Sequence, residues 1–206
     1  MSIIIILSFI INSKKNKSEG SLEVININKE LDMLEDNIKK NIYSKKDYKK
    51  DFKERKKNKK KPEKRIFILD FKGNIKASEI VSLRKEISGV LLTCKKGDEV
   101  LLRLENSGGT VHEHGLAAAQ LKRIKDKKIP LTICVDKVAA SGGYMMACVA
   151  NKIVSSPFAI IGSIGVIAQL PNFNKLLKNK GIDFEQQTAG NYKRTVTMFG
   201  HNTDKD

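Results

Sequence analysis

Tryptophan is absent from the 206 residues, aromatic side chains make up 6%, and there are only 4 prolines and 3 cysteines. Cys94, Cys134 and Cys148 lie in apolar runs with no C-x-x-C pair. An odd count without metal-ligand spacing argues against a disulfide framework and against a zinc site. It predicts buried free thiols that act as small apolar residues. The apolar stretch over residues 1–11 falls short of the about 20 residues a spanning helix needs. It also lacks the basic start and small-residue cleavage site of a signal peptide. Three readings remain: a spanning helix truncated at its start, a shallow anchor, or an aberrant start. The truncated anchor is the favoured one. No recognisable nucleic-acid-binding module accompanies the basic charge.

That charge is the main excess: 39 Lys and Arg stand against 23 Asp and Glu, a net +16. Residues 12–65 carry 19 basic and 10 acidic side chains, net +9. Frequent Ile, Lys and Asn suggest a biased genome, which discounts part of the charge as function. Residues 12–64 read as a Lys-rich connector. It has a partly amphipathic start, first strand-like and then helical, and a run from residue 43 onward that reads as a solvated tether. Its functional alternatives are anionic lipid headgroups and phosphate backbones.

The stretch that organises the remainder is Asp136-Lys137-Val138-Ala139-Ala140-Ser141-Gly142-Gly143-Tyr144. Residues 131–135 before it are short, β-branched and apolar, which predicts a buried strand. Residues 145–150 after it predict an apolar helix. Ser141 then sits where a strand turns into a helix, with small residues leaving space around its hydroxyl. The amides at Gly142 and Gly143 come before the helical ladder starts, beside any negative charge that forms near Ser141. This does the job of a nucleophile elbow without matching G-x-S-x-G. The alternative is a plain helix N-cap, for which serine is well suited.

Around this stretch, strands and helices alternate. Strands are predicted at 66–71, 99–104, 131–135 and 153–154, and helices at 78–92, 111–124 and 173–180. The alternation implies parallel strands joined by crossovers. A second glycine-framed hydroxyl, Ser163, lies in residues 160–166. A reactive serine needs a base. His112 and His114 could approach Ser141, but no acidic orienter stands out, and neighbouring loop histidines are more often surface residues. The other candidate is Lys193, which would have to be desolvated to lose its proton.

Three segments carry a family resemblance: DKVAASGGYMMACVA at 136–150, AIIGSIGVIAQLPNF at 159–173 and TAGNYKRTVT at 188–197. Over residues 60–206 the chain resembles the SppA/SohB signal peptide peptidase family of membrane-anchored Ser-Lys peptidases, its SohB branch most of all. The resemblance implies a ClpP/crotonase-like α/β fold in a peptidase domain over 65–206. It implies Ser141 as nucleophile, Lys193 as general base and Ser163 as a hydroxyl that helps hold the lysine. The amides of Gly108 and Gly142 would form the oxyanion hole. It further implies a bacterial enzyme of the inner (cell) membrane, anchored at its N-terminus, with its membrane side left open. No metal or cofactor would be needed. Partners would be polypeptide substrates, signal-peptide remnants or other small or unfolded chains, with no specific nucleic acid. The protein would form a homo-oligomer, and in some members the serine and lysine of one site come from adjacent subunits.

The chain departs from the family in three places. Asn106-Ser107-Gly108-Gly109 stands where the family usually has Ser-Pro-Gly-Gly, which removes a proline-fixed φ. The apolar N-terminal segment is short. The family also continues past residue 206 with helical structure that helps close the domain. These departures keep two rivals open: an inactive scaffold or peptide-binding member of the same fold, and a basic polyanion or membrane-surface binder working through residues 12–65.

Overall fold

The computed structural model describes residues 22–58, 64–190 and 196–202. The chain divides into two compact units, Met1–Ile164 and Gly165–Asp206.

The first unit opens with two helices, α1 (Ile27–Ile42) and α2 (Lys45–Asn58). Asn26 caps α1, its Oδ1 accepting from the Lys29 N–H at 3.1 Å. Ser44 Oγ accepts from the Asp47 N–H at 3.2 Å and starts α2. The two helices pair antiparallel through charge: Arg55 reaches Asp36 at 2.6 Å and Lys39 reaches Asp51 at 3.1 Å across the pair, while Arg55 and Asp51 also meet at 2.7 Å within α2. The connector is therefore helical over much of its length rather than disordered, with its side chains still largely in solvent. Residues 22–26 form no strand. The reason lies in the placement of its acids: Asp36 and Asp51 fall opposite Arg55 and Lys39, so the basic run is locally compensated. The face of α1 that carries Ile27, Leu31, Leu34, Ile38 and Ile42 stays exposed.

The core begins at β1 (Ile66–Lys72). It continues through α3 (Ile80–Thr93), β2 (Glu99–Glu105), α4 (Val111–Asp126) and β3 (Leu131–Val135). Then come β4 (Val138–Ala140), α5 (Gly142–Ala147), β5 (Lys152–Ser155) and β6 (Ile160–Gly162). Four strands form a sheet in the order β1-β2-β3-β5, and every neighbouring pair is parallel. The α/β reading with parallel strands and crossover helices holds.

Burial alternates along the strands: Val100, Leu102 and Leu104 of β2 and Leu131, Ile133 and Val135 of β3 are buried. They join Leu83 and Ile87 of α3 and Leu121 and Ile124 of α4 in one apolar cluster. Thr132 and Cys134, on the other face of β3, are half-buried. The strand expected to be buried throughout is thus buried on one face, the face that α3 and α4 cover. The thiols also differ from expectation, Cys134 because it lies on that other face of β3. All three are free, but Cys94 and Cys134 are only half-buried and Cys148 is exposed.

In the second unit, α6 (Asn174–Asn179) ends at Gly181, whose φ is 70°. Residues 196–202 fold back onto the start of α6: the Phe173 N–H donates to Met198 O at 2.7 Å, and the Asn174 side chain donates to Phe199 O at 2.8 Å. The rings of Phe173 and Phe184 flank Phe199 at 6.2 and 5.7 Å between centroids. Among the described residues no helix is long and apolar enough to cross a membrane. Residues 1–11, where the sequence places the anchor, lie outside the described residues.

One buried carboxylate joins three elements of the core. Asp98, 4% exposed, accepts from the backbone N–H groups of Arg65 and Lys95, both at 2.8 Å, and from Arg65 Nη2 at 2.5 Å. The same guanidinium donates to Thr93 O at 2.9 Å. The Arg65 side chain, followed by the Lys95 N–H, holds the Asp98 carboxyl well below the usual carboxylate range. A depressed folded-state pKa gives stability that is present above the unfolded value of about 3.9 and is lost as pH falls below it. Asp98→Asn is therefore expected to lower the Tm by several degrees at pH 7. The gap from wild type should shrink steadily between pH 5 and pH 2 in thermal unfolding followed by circular dichroism. A gap that does not change with pH would contradict this role.

Candidate active site

The site is built where β2, β4 and β6 end together. Asn106, just past β2, pairs with Ala139 of β4: its N–H donates to Val138 O at 2.9 Å, and its O accepts from the Ala140 N–H at 3.0 Å. Strand β4 in turn pairs with β6 in parallel, Ala140 opposite Gly162. Neither β4 nor its small sheet was visible in the sequence. Three residues between a lysine and a serine are too short to show a strand period.

Ser141 follows β4 directly. Its backbone has φ 51° and ψ −117°, in the left-handed region that non-glycine residues rarely occupy. The turn is fixed by its own backbone bonds. The Ser141 N–H donates to Gly162 O at 2.7 Å, and its carbonyl accepts from the Met145 N–H at 2.9 Å. The hydroxyl makes no capping bond to the helix that follows. The plain N-cap reading therefore fails, and the geometry is that of a sharp strand-to-helix turn presenting a serine. Ser141 is half-buried, between buried Ala140 and buried Gly142.

The loop after β2 lies against this turn. A Cβ added at Gly108 would stand 2.6 Å from Ser141 Cβ and 3.0 Å from Gly142 N, and Gly108 has φ +91°. Only glycine fits there, in both space and torsion. A Cβ at Gly142 would stand 2.4 Å from the His114 ring, and one at Gly143 would stand 2.3 Å from Asn106 O. The glycines beside Ser141 are thus sites of close approach, not simply turn residues.

The structure brings Gly108, Ser141 and Gly142 together. Ser163 comes one step beyond the Ala140–Gly162 pair, as Ser141 does on β4, with φ 56° and an exposed side chain. Lys193 lies outside the described residues. The Gly108 N–H donates to Asn106 Oδ1 at 2.7 Å, so in this structure it is committed to a side chain.

His114 is neither a surface residue nor a base for Ser141. It is fully buried, with Nδ1 2.9 Å from Thr110 O and Nε2 3.0 Å from Asn106 Oδ1. Both ring nitrogens face other groups. His112 is exposed, 3.8 Å from Glu113. A Ser-His arrangement with either of them is not formed. Sequence reasoning weighed His114 only as a base and Asn106 only as a loop departure, and missed that the Asn106 side chain joins His114 to the Gly108 amide. The available signal was an Asn two positions before a glycine, the pattern of an Asx turn that receives the i+2 amide.

Among the described residues no group of three or more His, Cys, Asp or Glu side chains is placed to hold a metal ion. The second unit has a cavity of about 250 Å³, lined by Phe184, Gln186, Thr188, Thr197, Gly200 and His201. It contains none of the residues singled out by chemistry.

Comparison with known proteins gives the family. The family model described as peptidase family S49 N-terminal matches residues 1–121, and the one described as peptidase family S49 matches residues 123–206. A relative named probable protease SohB from Buchnera aphidicola of Acyrthosiphon pisum is 66% identical over 142 residues, 69% of this chain and 42% of that protein. The protein of the same name from Buchnera aphidicola of Schlechtendalia chinensis is 62% identical over 138 residues, 67% of this chain and 45% of that protein. That of Haemophilus influenzae is 62% identical over 140 residues, 68% of this chain and 40% of that protein. The chain spans less than half the length of these relatives. With a serine on a sharp turn, a glycine loop pressed against it and both family models matching, the chain belongs to peptidase family S49, to its SohB type.

Proposed function

We propose that the chain is a membrane-associated serine endopeptidase with a Ser-Lys dyad, acting on signal-peptide remnants or other small or unfolded polypeptides. The observation that carries this reading is the Ser141 backbone, with φ 51° and ψ −117° and a hydroxyl left out of helix capping. In the proposed reaction neutral Lys193 takes the Ser141 proton as Oγ attacks a peptide carbonyl. The oxyanion that forms is stabilised by the amides of Gly142 and Gly108, a donor of this kind being worth about 3 kcal/mol. The Gly108 N–H has to leave Asn106 to take this part. Lys193 then protonates the leaving amine, and a water activated by Lys193 hydrolyses the acyl-enzyme. Ser163 holds the lysine. Assembly into a homo-oligomer would supply the burial that keeps Lys193 neutral, since desolvation disfavours the ammonium.

The Gly108 amide, turned onto Asn106, also favours a second reading: a scaffold that keeps the fold and binds peptides without cleaving them. Mass spectrometry after exposure to a fluorophosphonate separates the two. The peptidase reading requires a single adduct on Ser141.

Ser141→Ala is expected to abolish cleavage of unfolded casein, at least a 10³-fold loss, with the Tm unchanged within a few degrees. Lys193→Met and Lys193→Arg should be equally inactive, because neither can take up a proton at working pH. Wild-type activity should rise with pH through a lysine pKa that lies below the usual value of about 10.4. Retained activity in Lys193→Arg would remove the lysine from the mechanism.

Membrane association is proposed to rest on residues 1–11 together with the basic connector. Helix α2 alone carries 8 basic and 3 acidic side chains. A chain lacking residues 1–60 is expected to lose salt-sensitive binding to phosphatidylserine vesicles in a flotation assay while still cleaving a soluble peptide. Vesicle binding that survives the deletion would place the membrane contact in the peptidase domain.

A further inference from the structure

The buried polar pair beneath the oxyanion loop has no part in the reaction steps above. We infer that Asn106 and His114 are positioning residues, a two-state latch that decides whether the Gly108 amide is available to an oxyanion. The inference rests on the oxyanion role proposed for Gly108.

The Gly108 N–H can only donate, so the Asn106 atom 2.7 Å from it is the side-chain oxygen. That oxygen is also 3.0 Å from His114 Nε2, which therefore carries a hydrogen. This arrangement leaves two groups poorly served. In the neutral Nε2–H tautomer, His114 Nδ1 faces Thr110 O at 2.9 Å, lone pair against lone pair. Asn106 Nδ2 is buried and has no partner among the described residues. It is pressed toward Gly73, where an added Cβ would lie 2.3 Å away, and the residue as a whole is 1% exposed. Native structures seldom leave a buried donor unpaired.

Turning the Asn106 amide by half a turn about its last torsion reverses the contacts of His114 and moves Oδ1 to the unpartnered place that Nδ2 held. Nδ2 then donates to His114 Nε2, and the ring takes its other tautomer, with Nδ1–H donating to Thr110 O. The Gly108 N–H then meets Nδ2–H, donor against donor, at a place 2.7 Å away, so the loop amide has to turn away from Asn106 and toward a negative oxygen forming beside Ser141. No proton is gained or lost overall: one hydrogen on His114 passes from Nε2 to Nδ1. The observed state is the latched one. A bound oxyanion favours the turned state because it alone offers the Gly108 N–H a partner there. Asn106 at this position gives the latch both an acceptor and a donor on one rotatable group. The serine that the family usually has there offers a hydroxyl with a shorter reach.

The test is made on the 206-residue chain. In the free protein, ¹⁵N NMR of the imidazole is expected to report His114 in the Nε2–H form, with the Gly108 amide protected from hydrogen exchange. Asn106→Asp has two acceptor oxygens and no donor, so it can form only the latched state. It should keep Gly108 protected and slow fluorophosphonate labelling of Ser141 at least 10-fold. Asn106→Ala should speed Gly108 exchange at least 10-fold, because it removes the acceptor that holds the amide. An Nδ1–H tautomer together with an unprotected Gly108 amide in the wild-type protein would overturn the latch, without need of any variant. So would Asn106→Asp labelling at the wild-type rate. If Ser141 labels in no variant, the peptidase reading fails, and the tautomer and exchange data still decide the latch.

Discussion

The backbone pairing of Asn106 with β4 is the constraint on which the site depends. Two hydrogen bonds, at 2.9 and 3.0 Å, draw the loop after β2 across to residues 138–140. Without them Gly108 would have no reason to lie against Ser141, and β4 would be held only by β6. The main parallel sheet supplies the platform, because β2 and β3 are adjacent and in register. Their C-terminal ends therefore come out side by side, the usual place for a site in an open α/β sheet. The pairing is purely main-chain, so it does not depend on what residue 106 is. The side chain at 106 is then left to act on the loop amide.

What the sequence revealed and what it hid divide along physical lines. The parallel strands, the two long crossover helices and the serine turn were legible because each has a hydrophobic period or a glycine cluster of its own. Strand β4 was hidden because its evidence is a pairing partner 22 residues further on, Val138 with Ile160. His114 was misjudged as a surface residue for a related reason. Its burial comes from Gly142, whose missing Cβ makes room for the ring, and that contact spans 28 positions of chain. The commitment of the Gly108 amide to Asn106 was equally out of reach, since a family resemblance assigns roles but not which way an N–H points. Between Lys193 and the histidines as the base, it was that resemblance that decided.

The connector shows a different limit. Composition alone made residues 43–65 a Lys-dominated run, which predicts a solvated or disordered tether. The outcome turned on a few acids. Asp36 and Asp51 lie where an antiparallel hairpin brings them to Arg55 and Lys39, and these four side chains are each 20–30% exposed. Pairs of this exposure are worth about 0–1 kcal/mol apiece. They set the register of α1 on α2 more than they stabilise it. The raised pKa values of Lys39 and Arg55 and the lowered one of Asp51 have the same origin, a hydrogen-bonded partner of opposite charge.

The serine turn holds together by a local balance. A non-glycine residue in a sparsely populated backbone region costs about 1–3 kcal/mol. Ser141 has two backbone hydrogen bonds, to Gly162 O and from the Met145 N–H, each worth about 0.5–1.5 kcal/mol net. The two sums are of the same size, so the turn needs little support from the rest of the fold to persist. What the fold does supply is exclusion of the alternatives. Gly108 on one side and buried Gly142 and Gly143 on the other leave no room for the chain to relax toward an ordinary helix start. The backbone at Ser141 carries the unusual torsion while its side chain makes no capping bond, the presentation that the proposed nucleophile requires.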